Sequence, residues 1–142
     1  MIKETIKNIP YQFFTKEEFI NLIEKNTKPY KRLMTFYKCA IMEVETKFNV
    51  LNEELSLDGE TNPIESIKTR IKSTESLARK MNKRKITPTI ENIEQNIFDV
   101  AGVRVICSFP EDIYRIEQAF LSQDDITLIE RKDYIQNPKE SG

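Results

Sequence analysis

Asp99 has the chemistry and the place to hold a metal ion. It enters the apolar run Val100-Ala101-Gly102-Val103-Arg104-Val105-Ile106-Cys107 at the point where a helix hands over to a strand. Ligands of open α/β sheets gather at such strand ends. Gly102 lets the backbone approach a neighbour closely. Arg104 stands between Val103 and Val105, so its guanidinium leaves the sheet on the face opposite theirs. An arginine inside a run of β-branched residues needs an anion or an aromatic plane to meet it. The same residues also describe an edge-strand arginine facing water beside a helix-terminal aspartate, and the segment alone does not choose between the two.

A second constellation lies upstream. Ile67-Lys68-Thr69-Arg70-Ile71-Lys72 alternates apolar or small residues with cations, the pattern of a strand with one charged face. Lys68, Arg70 and Lys72 then project to one side. Ser73 or Thr74 can cap a following helix. On that helix Ser76, Lys80 and Lys83 stand four and three residues apart and share a face. Cations crowded in this way repel one another unless a polyanion neutralises them, and a polyphosphate fits. A solvated basic helix face is the plain alternative.

Several elements must position these groups. Residues 15–27 read as a short helix, with Thr15 capping and Glu18 completing a capping box, and Pro29 breaks it. From Tyr30 to about Leu57 a long helix carries Leu33, Phe36, Tyr37, Ala40, Ile41, Val44, Phe48, Leu51 and Leu55 at three- and four-residue steps, a stripe expected to be core. Asp58-Gly59-Glu60 ends it. A strand at 65–72, helices at 74–84 and 90–97, a strand at 100–108, a helix from Pro110 through Leu121 and a strand at 126–135 complete the series. Strands alternating with helices predict an α/β (α+β) fold in which helices flank a mixed β-sheet.

Composition limits the chemistry further. At 142 residues the chain is one domain's worth. Its net charge is −1 with 32% charged residues, so the basicity is local to residues 68–85 and overall charge does not call for nucleic acid. There is no histidine, which removes Ser-His triads and histidine metal clusters. The only glycines are Gly59, Gly102 and Gly142, too few for a phosphate-cradling loop. Any grip on phosphate must come from side-chain cations. Cys39 and Cys107 lack ligand spacing and are expected to be small buried residues. No apolar run approaches the roughly 20 residues that span a bilayer, and no signal peptide's apolar stretch opens the chain. The expectation is a cytoplasmic protein without membrane contact.

Four pieces in order resemble the synthetase domain of the RelA/SpoT family, most of all its small alarmone synthetases, which make (p)ppGpp. They are Arg70-Ile71-Lys72-Ser73 with Ser76, Lys80 and Lys83; Phe98-Asp99-Val100-Ala101-Gly102-Val103-Arg104-Val105; Asp112-Ile113-Tyr114-Arg115-Ile116; and Lys132-Asp133-Tyr134-Ile135-Gln136-Asn137-Pro138-Lys139-Glu140-Ser141-Gly142. The resemblance runs from about Pro29 to Gly142. Residues 1–28 are expected to be an amino-terminal extension, and 29–142 the amino-terminal part of a nucleotidyltransferase-like synthetase domain behind a long N-terminal helix. In the family a Tyr-Arg-Ser-x-His motif follows the Asn-Pro-Lys segment. The expectation is therefore a chain that stops one residue short of the guanine-stacking tyrosine and is catalytically incomplete.

The resemblance implies pyrophosphate transfer from ATP to the ribose 3′-hydroxyl of GDP or GTP, the chemistry of the stringent response. It implies that Arg70 and Arg104 sandwich the adenine, and that Lys72, Ser76, Lys80 and Lys83 hold the ATP phosphates. It implies that Asp99 carries Mg²⁺ and that Lys132 and Lys139 meet the acceptor's phosphates. Lys83 and Lys132 stand where relatives often have arginine, which keeps the charge but loses the fork. Relatives form homotetramers, and some bind single-stranded RNA. Two other functions fit the same residues: a non-catalytic regulator that binds RNA or protein through residues 68–85, and a toxin-like pyrophosphokinase acting on another nucleotide or tRNA.

Overall fold

Three helices among the described residues start where a hydroxyl satisfies a free N–H group of the first turn. The computed structural model describes residues 11–25, 27–57, 59 and 61–140. Helix α1 (Lys16–Lys25) begins after Thr15, whose Oγ1 accepts the Glu18 N–H at 3.1 Å. The long helix α2 (Thr27–Ser56) has Pro29 in its first turn, where no intrahelical bond is lost. Strand β1 (Ile64–Ile71) leads to α3 (Thr74–Lys83), capped by Ser73. Helix α4 (Ile90–Asn96), capped by Thr89, precedes strand β2 (Ala101–Cys107), and α5 (Pro110–Leu121) opens on a proline.

The chain divides into two compact units. One comprises the described residues within Met1–Thr46 and Ile67–Arg104, the other those within Lys47–Ser66 and Val105–Gly142. The core of the first is formed by Phe14, Phe19, Leu33, Leu77, Ala78, Met81, Ile93, Ile97 and Val100. Helix α1 packs against α3, and Phe14 stacks on Phe19 with centroids 5.7 Å apart. Asn82 on α3 fastens the segment before α1. Its amide donates to the Phe14 carbonyl at 2.7 Å, while its oxygen accepts the Phe14 N–H at 3.2 Å and the Tyr11 hydroxyl. In the second unit Leu51, Ile64 and Ile116 are buried, Phe48 stacks on Phe120 at 4.3 Å, and Asn52 accepts the Ile64 N–H at 3.0 Å.

β1 and β2 pair with each other. The Lys72 N–H meets the Val100 carbonyl at 2.7 Å and the Ser108 N–H meets the Pro63 carbonyl at 3.3 Å, so they run antiparallel. The expected combination of helices and sheet is present, and among the described residues the sheet consists of these two strands. The strand expected at 126–135 does not form. Apolar residues there have no ladder to join, and the Asp133 carboxylate instead takes the Ile135 and Gln136 N–H groups, each at 3.0 Å. The expected stripe on α2 is narrower than the sequence suggests. Leu33, Ile41 and Leu51 are buried, but Phe36 is 58% exposed and stands under the Arg32 guanidinium; Ala40 is exposed too. Cys39 is exposed and Cys107 half-buried, both as free thiols, so only the second approaches the expected environment. Burial, then Asp112, pushes the Cys107 thiol up.

No helix among the described residues is long and apolar enough to cross a membrane. Residues 1–10 and Asn26 of the expected extension, Asp58 and Glu60 of the expected helix stop, and Ser141 and Gly142 lie outside the described residues.

Candidate functional site

Strand pairing brings two of the sequence-selected arginines together. Arg70 on β1 lies against Gly102 on β2: a Cβ built at Gly102 would stand 3.6 Å from both Cγ and Nε of Arg70. A methyl group there would make ordinary van der Waals contact with the arginine side chain that crosses the glycine. Lys68, Thr69 and Arg70 from β1, with Gly102, Val103 and Arg104 from β2, line a cleft of about 490 Å³. Lys68, Arg70 and Arg104 are exposed. None of the three forms an ion pair or side-chain hydrogen bond among the described residues. Three cations around one cleft without an acidic partner form a receptor for an anion or for a flat aromatic ring.

Just along the strands the pattern reverses. Asp99 is held between two lysines, with Lys72 Nζ 3.1 Å from Oδ2 and Lys80 Nζ 2.6 Å from Oδ1. Burial pushes the Asp99 carboxyl up, but Lys80 and then Lys72 outweigh it and hold the group below the usual carboxylate range. Oδ1 is fully buried, and apart from the Lys80 ion contact it receives no aligned hydrogen bond. A charged carboxylate suits a hard cation, and here each of its oxygens already faces an ammonium group. No cluster of three or more candidate metal ligands occurs among the described residues. Asp99 is the acidic residue at this place that could contribute an oxygen ligand to a hard cation.

Helix α3 sets the remaining upstream groups. Ser73 Oγ accepts the Ser76 N–H at 3.1 Å and lies 3.0 Å from Ser76 Oγ, so Ser76 is tied to its own cap. Lys80 turns to Asp99, whereas Lys83 is exposed and has no ionic partner among the described residues. The helix stops on a Schellman turn, with Ile86 N–H to the Met81 carbonyl at 2.8 Å and Lys85 N–H to the Asn82 carbonyl at 3.1 Å. Lys85 occupies the left-handed position at φ 56°.

Lys132 and Lys139 belong to the second unit. Lys132 is exposed, with Glu130 at 3.6 Å, and Lys139 Nζ lies over the Tyr134 ring at 4.4 Å from its centroid. Lys68 joins the cleft as a site residue that its place in the alternation alone does not single out. The contacts of Tyr114 and Glu117 with Asp133 and Arg131 join residues 14 or more positions apart and leave no local mark in the sequence.

Residues 69–142, just over half of the chain, match the family model described as the region found in RelA / SpoT proteins. Over 113 residues the chain is 38% identical to the GTP pyrophosphokinase YwaC of Bacillus subtilis, covering 80% of this chain and 54% of that protein. The small alarmone synthetase 2 from Bacillus subtilis superposes with a TM-score of 0.66 at 36% identity, covering 78% of this chain and 55% of that one. The small alarmone synthetase 1 of the same organism, solved bound to its product pppGpp, gives 0.69 at 27% identity, covering 80% and 57%. Solved with AMPCPP, it gives 0.65 at 27% identity, covering 76% and 56%. The chain thus spans about half the length of the curated relatives it matches.

Proposed function

The chain belongs to the RelA/SpoT family, and from that membership we propose that it serves pyrophosphate transfer from ATP to the ribose 3′-hydroxyl of GDP or GTP, carrying the ATP side of the site. Transfer of this kind depends on alignment and charge neutralisation more than on covalent help from the protein. Arg70 and Arg104 take the adenine between their guanidinium planes at the cleft that they line with Lys68. Lys72, Ser76, Lys80 and Lys83 receive the phosphates. For Lys72 and Lys80 this means leaving the carboxylate they now neutralise. Asp99 would hold Mg²⁺, and Lys132 and Lys139 would meet the acceptor's phosphates. When bound, the ion supplies positive charge where phosphate oxygens gain negative charge.

One observation carries this function: two arginines from neighbouring strands open on one cleft with no acidic partner among the described residues. A titration of the chain with AMPCPP and Mg²⁺, followed by calorimetry, tests it. Binding is expected, and Arg70→Ala or Arg104→Ala should weaken it roughly tenfold, the size of a stacked or charge-assisted contact. Variants that bind like the parent would sink the proposal. So would steeply salt-dependent affinity for single-stranded RNA together with none for the nucleotide, which is the signature of a regulator.

A further inference from the structure

We propose that Tyr114 and Asp133 are positioning residues, which fix the segment bearing Lys132 and Lys139 so that both ammonium groups can engage one guanosine diphosphate. The inference rests on the acceptor-side role given to those lysines above. The segment has no strand to hold it, and most of its apolar side chains are exposed: Leu128 is 51% exposed, Ile129 90% and Ile135 51%, with Ile126 half-buried at its start. What orders it is polar.

The Asp133 carboxylate accepts the Tyr114 hydroxyl at 2.9 Å on Oδ2 and the Ile135 and Gln136 N–H groups at 3.0 Å on Oδ1. Arg131 Nη2 approaches Oδ2 at 3.5 Å, and the Asp133 carbonyl accepts the Asn137 N–H at 3.0 Å. Arg131 is itself bound by Glu117, with Nε to Oε1 at 2.5 Å and Nη2 to Oε2 at 3.4 Å. Tyr114 and Glu117 are three residues apart and share a face of α5.

Two clamps therefore grip the chain on either side of Lys132. Tyr134, over which Lys139 lies, follows Asp133 directly. Glu117 and Asp133 occupy Arg131, so the segment's cations for an anion are Lys139 and Lys132, the latter at the cost of a loose, exposed contact with Glu130 at 3.6 Å. The bond from Gln136 N–H, with help from Tyr114, keeps the Asp133 carboxyl below the ordinary range despite burial, so the hub stays charged at neutral pH.

The test is calorimetric titration of the chain with GDP, and separately with AMPCPP and Mg²⁺, together with amide hydrogen exchange at Ile135 and Gln136. Tyr114→Phe keeps the ring and removes only the hydroxyl. It should weaken GDP binding about fivefold, the size of one lost hydrogen bond, leave AMPCPP binding unchanged and speed exchange at both amides. Unchanged exchange, unchanged GDP affinity, or equal loss of both nucleotides would overturn the positioning role. Lys132→Gln and Lys139→Gln separate the two levels of inference. If they weaken GDP binding while Tyr114→Phe does not, the positioning role alone fails. If they change nothing, or the parent chain does not bind GDP, the acceptor-side role fails and takes this inference with it.

Discussion

The two units hold their candidate residues by different means. In the first, Arg70, Arg104 and Lys80 ride on paired strands and a capped helix whose inner face is buried. Leu77 and Met81 are fully buried beneath Lys80, and the register of β1 on β2 sets Arg70 against Gly102. In the second, Lys132 and Lys139 ride on a segment with no ladder bonds, fastened by single side chains. Burial of apolar surface holds the first arrangement, at about 1.5–3 kcal/mol for each large side chain. Hydrogen bonds of about 1 kcal/mol each hold the second. A site face built the first way resists local opening, while one built the second way is open to adjustment when an anion arrives.

The largest effect expected from that difference is on stability. Leu77→Ala empties a fully buried position and should cost about 3 kcal/mol. Ile135→Ala, at a half-exposed position of the second unit, should stay within about 0.5 kcal/mol. Urea unfolding followed by circular dichroism measures both. Equal costs would erase the distinction between a packed region and a clamped one.

Next in size is an effect on binding that sharpens the contrast within the first unit, between the cleft cations without acidic partners and the two lysines held by Asp99. Asp99→Asn frees Lys72 and Lys80 and removes the charge proposed to hold the metal. Nucleotide binding in EDTA should strengthen several-fold, because two ammonium groups no longer have to leave a carboxylate, while the added affinity from Mg²⁺ should fall about tenfold. A variant with unchanged metal dependence would remove Asp99 from the site.

What was legible in the sequence follows the same division. The Ser73 cap, the Lys68-Arg70-Lys72 alternation and the placement of Arg104 between valines obey rules that act over two to four residues, and the helices and paired strands appear within three residues of where those rules put them. The contacts that were not legible span the chain. Lys72 and Asp99 are 27 residues apart, and Asn82 and Phe14 are 68 apart. The Asn82 clamp also draws residues 11–25 into the first unit's core, a role invisible while residues 1–28 matched no motif. The unformed strand at 126–135 is the clearest lesson. Its apolar content suits a strand, but pairing depends on a partner that local pattern cannot supply.

Acid should reach both arrangements through their carboxylates. Asp99 and Asp133 have folded pKa values below their ordinary ones. Each therefore adds stability above the unfolded value of about 3.9, and that stability is lost as pH falls through the folded value. Asp133→Asn should be destabilising at pH 7, and the gap from the parent should narrow as pH falls below about 4. Urea midpoints at pH 7 and pH 3 check this. A gap that stays constant would mean that the Asp133 charge contributes nothing and that only its shape matters.

The smallest effect concerns the helix stop that ends α3. Lys85 holds the left-handed position of the Schellman turn at φ 56°, where an L side chain crowds the backbone at a cost of about 1 kcal/mol or somewhat more. Glycine adopts that conformation freely but loses more freedom on folding, which offsets part of the gain. Lys85→Gly should therefore raise stability by about 0.5–1 kcal/mol and the melting midpoint by about 2 °C. AMPCPP affinity should not change, because the Ile86–Met81 and Lys85–Asn82 backbone bonds that end the helix are kept and Lys85 lies outside the cleft. A gain in stability accompanied by a change in affinity would show that the pitch of α3 is set by its last turn and not by the packing of Leu77 and Met81, which would place the first unit nearer to the second in how it holds its cations.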